Sequence, residues 1–240
     1  MVLLRPFVLA LCALAAVAVA VPAVQTRTMT LDDWSVEVDV YRPDDAAPRG
    51  LAVIAHGFTR SRGRHAVLAR RLAEEGLVVA VPDLPHWTWH EGNAAAIATL
   101  VKALAAEPGL GDAPVVLIGA SAGGLASLLA AEQVPRLALW VGLDPVDTFG
   151  AAREAARKLQ APGVVLRAPS GPCNVGGSAH RIAGWLANRR AELRIDDASH
   201  CDFEDTTNWR CESICGPADA ARQARIVDEV VKAVLEAVPQ

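Results

Sequence analysis

At 240 residues, with 52% hydrophobic and 21% charged residues, the chain has the length and composition of one large globular domain with a well-buried core, and it is short for two. Its formal net charge of −4 gives no sign of the basic surface that nucleic-acid binding requires, and no nucleic-acid partner is expected.

Taken in chain order, the first segment reads as a signal peptide spanning residues 1–20. Arg5 supplies the positive start, Phe7–Val19 the apolar run, and Ala18-Val19-Ala20 a small-residue cleavage site, with cleavage expected after Ala20. The apolar run falls short of the ~20 residues a spanning helix needs, and no later run could cross a bilayer, so no stable membrane insertion is expected. The mature domain, residues 21–240, is expected to be secreted or periplasmic.

Met29–Tyr41 alternates polar and apolar residues (Trp34, Val36, Val38, Val40), the period-2 pattern of half-exposed antiparallel strands. From Leu51 the pattern changes to short continuous apolar strands separated by helices. That predicts an α/β fold, a mostly parallel central sheet flanked by helices. The strands are expected at Leu51–Ala55, Val78–Val81, Val115–Ile118, Leu137–Leu143, Val164–Arg167 and Leu193–Ile195. Helices are expected near Arg64–Glu75, Ala94–Ala106, Gly123–Glu132, Thr148–Leu159, Ser178–Arg189 and Asp219–Val238. The short spacing between strands leaves no room for a large inserted lid.

The chemistry concentrates at Gly119-Ala120-Ser121-Ala122-Gly123, a G-x-S-x-G string between a predicted strand and a predicted helix. A nucleophilic serine on a sharp strand-to-helix turn needs neighbours without bulk two residues either side. The turn also aims the Ala122 amide and the helix N-terminus at the position of an oxyanion. A second oxyanion amide is expected from Phe58, in Ala55-His56-Gly57-Phe58, where Gly57 permits a tight turn. His56 is expected to be structural.

A serine hydroxyl needs a base oriented by a carboxylate, in the chain order Ser, Asp or Glu, His. His200, just after the last predicted strand, is the base by position. The loop after the penultimate strand, Ala168–Gly177, holds no acidic residue, so the acid is sought one strand earlier, where Asp144 follows the apolar run directly. Asp147 is the reserve, with a competing role as a helix N-terminal residue.

Trp87 and Trp89 are expected to wall a substrate pocket, with Trp209 a possible addition. The basic run Arg60, Arg62, Arg64, Arg70 and Arg71 reads as a solvated helix face balanced by Glu74 and Glu75. Beyond the signal, Cys173, Cys201, Cys211 and Cys215 predict two disulfides in an exported chain. Three pairings are open. Neighbouring parallel strands favour Cys173 with Cys201, leaving Cys211 with Cys215. A zinc site from His200, Cys201, Cys211 and Cys215 competes, but adjacent His200 and Cys201 are awkward as ligands of one ion.

The strings HGF (56–58), PDLP (82–85), GASAGG (119–124), LDPVD (143–147) and ASHCDFED (198–205) together resemble the α/β-hydrolase superfamily, within it the chlorophyllase-like and extracellular polyesterase or lipase-like group, over nearly all of the mature length. Chlorophyllase-like proteins carry their acid on the first Asp of a similar DPVD, which selects Asp144 a second time. The sequence departs at Ala122, where that group usually has a bulkier residue, and chlorophyll is therefore not implied as substrate. The expected function is a secreted, monomeric serine hydrolase acting on small-molecule or polymeric carboxylic esters, without cofactor or metal. A non-catalytic binding protein on the same scaffold, and thioesterase, amidase or acyltransferase chemistry on the same residues, are the alternatives.

Overall fold

The computed structural model describes residues 22–44 and 47–238. The expected signal segment, residues 1–20, lies outside them. The alternating segment is a hairpin: β1 (Ala23–Leu31) and β2 (Trp34–Arg42) pair in register Leu31↔Trp34. Asp32 and Asp33 both have positive φ (49° and 67°), the handedness a two-residue hairpin turn needs to match strand twist. The continuous apolar runs become β3 (Gly50–Ala55), β4 (Leu77–Pro82), β5 (Val115–Ala120), β6 (Leu137–Leu143) and β7 (Gly163–Arg167).

These join β8 (Arg189–Arg194) in an eight-stranded sheet of order β1-β2-β4-β3-β5-β6-β7-β8. The hairpin and the β2–β4 pair are antiparallel, and all other pairs are parallel. β8 starts four residues earlier than Leu193. As an edge strand it is not fully covered and carries Arg189, Arg190, Glu192 and Arg194, so apolar continuity does not mark it.

Seven helices occur among the described residues, all but α6 packed on the sheet: α1 (Ala66–Glu74), α2 (His90–Ala105), α3 (Ala122–Ala130), α4 (Ala152–Lys158), α5 (Ser178–Trp185), α6 (Trp209–Cys215) and α7 (Ala220–Ala237). Two apolar cores result. One packs α2, α3, α4 and α5 against one face through residues such as Leu100, Leu125 and Ile182. The other packs α1 and α7 against the opposite face through Leu68, Leu72, Val230 and Val234. Trp140 on β6 is fully buried, and its indole N–H donates to the Ser127 hydroxyl at 3.0 Å, so the one polar atom of that large side chain is satisfied. No described helix is long and apolar enough to cross a membrane.

The unanticipated α6 corrects the expected cysteine pairing. The disulfides are Cys173–Cys215 and Cys201–Cys211. Cys211 and Cys215 stand one turn apart on α6, where side-chain Cβ atoms are about 5–6 Å apart, too far for the ~3.8 Å of a disulfide. The helix instead lies between the loops carrying Cys173 and Cys201 and bonds to each. The zinc alternative fails for a related reason. The sulfurs of Cys201, Cys211 and Cys215 do lie within 4.8 Å of one another, but each is spent in a disulfide and offers no thiolate.

Candidate active site

Parallel strands deliver their C-terminal ends to one edge of the sheet, and that edge is where the chain's reactive side chains gather. Ser121 stands between β5 and α3 with φ 52° and ψ −122°. For a residue bearing a side chain this is strained backbone, held in place by its surroundings. The Ser121 N–H donates to the Leu143 carbonyl, and the Ser121 carbonyl accepts from Gly124 and Val146, each at 3.0 Å. The glycines two positions away are sterically required. A Cβ on Gly119 would lie 2.3 Å from the Gly123 carbonyl oxygen, and one on Gly123 would lie 2.3 Å from the carbonyl oxygens of Ala55 and His56.

Asp144, immediately after β6, is fully buried and also adopts positive φ (41°). Its amide extends the ladder to the Leu166 carbonyl at 2.7 Å, which pins the residue at the sheet edge. His200 opens a short 3-10 turn, His200–Phe203, closed by a reciprocal cap between Ser199 and Asp202. Asp202, buried and paired with Arg222, also accepts from the Asp219 amide and so ties this turn to the start of α7.

The structure brings the three together. His200 Nδ1 lies 2.7 Å from Asp144 Oδ2, and His200 Nε2 lies 3.0 Å from Ser121 Oγ. A carboxylate only accepts, so Nδ1 carries the proton and Nε2 is left to accept from the serine hydroxyl. Phe58 and Ala122 both border the same cleft, and among the described residues neither backbone N–H donates to another group of the protein. Two undirected amides beside a serine can receive a developing oxyanion.

The neighbouring expectations divide. Asp147 is a turn residue: its carboxylate accepts from the amides of Phe149, Gly150, Ala151 and Ala152 and caps the approach to α4. His56 is structural and holds the loop after β3, with Nδ1–H donating to the Gly57 carbonyl (2.8 Å) and Nε2 accepting from the Leu84 amide (2.9 Å). Burial lowers its pKa, which keeps it neutral. Trp87 borders the cleft, but Trp89 does not: its ring lies against His86, centroids 4.6 Å apart. Trp209 is 72% exposed beside the cleft wall, with the Arg210 guanidinium 5.7 Å from its ring centre.

The basic run is not a solvated face throughout. Arg60 makes a largely buried ion pair with Glu204 (2.6 Å), joining the loop after β3 to the His200 turn. Arg62 bonds Asp39 and Asp83, and Arg64 donates to the carbonyls of Thr206 and Thr207. Burial raises the Glu204 pKa while the Arg60 guanidinium opposes that rise. The pairing of Arg60 with Glu204 spans 144 residues and has no sequence pattern. The start of α6, absent from the expected elements, carries a local signal: Asn208 accepts from the Cys211 amide as its N-cap.

The cleft over Ser121 and His200 has a volume of about 620 Å³ and is bordered by Phe58, Trp87, Val146, Phe149, Val175 and Ile214. Phe149, Ile214 and Trp87 are 73–75% exposed, an apolar rim open to solvent. A larger groove of about 940 Å³ lies between α3 and α4, far from this chemistry and without a nucleophile–base pair.

With this geometry in place, comparison with known proteins decides the family. The profile described as "Alpha/beta hydrolase family" matches residues 52–233. The chain belongs to the α/β hydrolase family. Its fold is similar to that of a dienelactone hydrolase from Anabaena variabilis (18% identity, TM-score 0.74, covering 92% of this chain and 100% of that one). It is also similar to Est1E from Butyrivibrio proteoclasticus (14%, 0.71, 90% and 99%). A dienelactone hydrolase-like promiscuous phosphotriesterase from metagenomic libraries is a third neighbour (15%, 0.73, 92% and 100%). Comparison of the sequence with curated proteins returns no match. Among the described residues of this α/β hydrolase no large lid is inserted between the strands, as the short strand spacing predicts, and the apolar cleft opens to solvent.

Proposed function

We propose that this α/β hydrolase cleaves carboxylic esters through an acyl-enzyme on Ser121. The observation that carries the reading is the unbroken hydrogen-bond path from Asp144 through the His200 ring to the Ser121 hydroxyl. His200 Nε2 takes the hydroxyl proton as Oγ attacks the ester carbonyl, and the amides of Phe58 and Ala122 receive the oxyanion. Collapse expels the alcohol, protonated by His200. Water then attacks the acyl-enzyme by the same route in reverse, with Asp144 stabilising the imidazolium in each half.

The apolar border of the cleft, including Phe58, Trp87 and Phe149, suits a hydrocarbon acyl or aromatic group over a charged one. The open mouth suits either a small ester or a segment of polyester. Two disulfides support an exported location together with the expected signal segment, and a monomer is proposed. Structural neighbours named for lactone and phosphotriester hydrolysis run on the same fold, which supports hydrolysis at an activated acyl or phosphoryl centre.

The test is hydrolysis of nitrophenyl esters of increasing acyl length by wild type and Ser121→Ala. The proposal expects rates with wild type that are lost in the variant, and a preference for medium over acetyl chains. Equal rates would remove the mechanism.

A further inference from the structure

The loop after β7 carries no carboxylate, yet it reaches the buried acid. Asn174, 2% exposed, donates from Nδ2 to Asp144 Oδ2 at 3.2 Å and to the Pro169 carbonyl at 2.8 Å. Its Oδ1 accepts from the amides of Gly171 (2.8 Å) and Gly177 (3.0 Å). These partners fix which way the amide faces. Turning it over would set its oxygen against a carboxylate and a carbonyl, and its NH2 against two N–H donors. The loop itself is anchored next door, because Cys173 is bonded to Cys215 on α6.

Asp144 Oδ2 is therefore shared between two donors, His200 Nδ1 and Asn174 Nδ2, while Oδ1 takes the Ala168 amide at 3.3 Å. We propose that Asn174 is a positioning residue of the serine-hydrolase site. It holds the Asp144 carboxylate in plane, and it keeps the charge at that place to a single negative unit. The inference rests on the ester-hydrolase reading. A neutral donor fixes the carboxylate, and through it the imidazole ring, without adding charge beside either.

Asn174→Asp is nearly isosteric and tests whether a hydrogen-bond donor is what this place requires. Two buried carboxylates meeting at one oxygen do not both ionise, so residues 144 and 174 would share one proton, and the protonated carboxyl at 174 would donate to Asp144 as the amide does. At pH 6 Asn174→Asp should therefore keep kcat within about threefold of wild type. Asn174→Ala should lower kcat about tenfold to a hundredfold with KM unchanged. Both are measured on the full chain with its disulfides intact, beside Ser121→Ala and with thermal unfolding as the fold control.

A wild-type kcat in folded Asn174→Ala, or a folded Asn174→Asp as slow as the alanine variant at pH 6, overturns the role of Asn174. If the alanine variant does not fold, Asn174→Leu, of similar size and without a donor, takes its place with the same expected loss of kcat. If Ser121→Ala hydrolyses esters as fast as wild type, it is the ester-hydrolase reading that fails instead.

Discussion

Replacing His65 with leucine tests how a buried, unpartnered imidazole couples stability to pH. The ring is fully buried at the end of the 3-10 turn Arg62–His65, and neither nitrogen finds a hydrogen-bond partner among the described residues. Burial, reinforced by His56 once that ring takes up its own proton in acid and by Arg60 and Arg64, pushes its pKa down from 6.5 to about 3. In the unfolded chain the imidazole takes up its proton near its ordinary value, whereas the folded protein takes it up only near pH 3. The stability contributed by the neutral ring is therefore complete above pH 6.5 and is lost as pH falls toward 3. At pH 4, about 2.5 pH units into that window, the loss amounts to about 3 kcal/mol. Urea unfolding of wild type and His65→Leu at pH 7 and pH 4 measures it. Wild type should lose about 3 kcal/mol more than the variant between the two conditions. Parallel losses would show that the ring is already protonated or solvated in the folded state, and the reasoning would fail.

Removing Cys201–Cys211, which closes a separation of 10 residues, should cost about 3 kcal/mol by loop entropy, and removing Cys173–Cys215, separated by 42, about 4, as read from urea midpoints of the paired serine variants. The reverse order would contradict an entropic origin. Trp87→Ala should raise KM for medium-chain esters about fivefold, the loss of about 1 kcal/mol of apolar contact, while Trp89→Ala, off the cleft, should leave kcat/KM within about twofold. Gly123→Ala should destabilise by about 1–3 kcal/mol in thermal melts and lower kcat, because the added carbon must displace the backbone after β3.

Much of the fold is legible from local pattern. β3 to β7 are continuous apolar runs because both sheet faces are covered, and the serine turn announces itself because only glycine fits at 119 and 123. What local pattern omits is instructive. β8 is an edge strand whose arginines hide it, and α6 is a short helix with no fully buried residue, flagged only by the Asn208 cap. Asp144 could be placed because it directly follows a predicted strand, and His200 because the chain order demands a histidine late in the chain. Asn174, the Arg60–Glu204 pair and the disulfide partners depend on contacts between distant loops, which no spacing along the chain encodes. The displacement of Trp89 from the cleft has the same origin: its ring is claimed by His86, three residues away.

The most direct test of the whole account is covalent. Incubating wild type and Ser121→Ala with a fluorophosphonate and weighing the intact proteins asks whether Ser121 is an activated nucleophile. The account predicts a single phosphonyl adduct on wild type, located at Ser121 by peptide mapping and accompanied by loss of esterase activity, with no adduct on the variant. An unlabelled wild type, or equal labelling of both proteins, would contradict it.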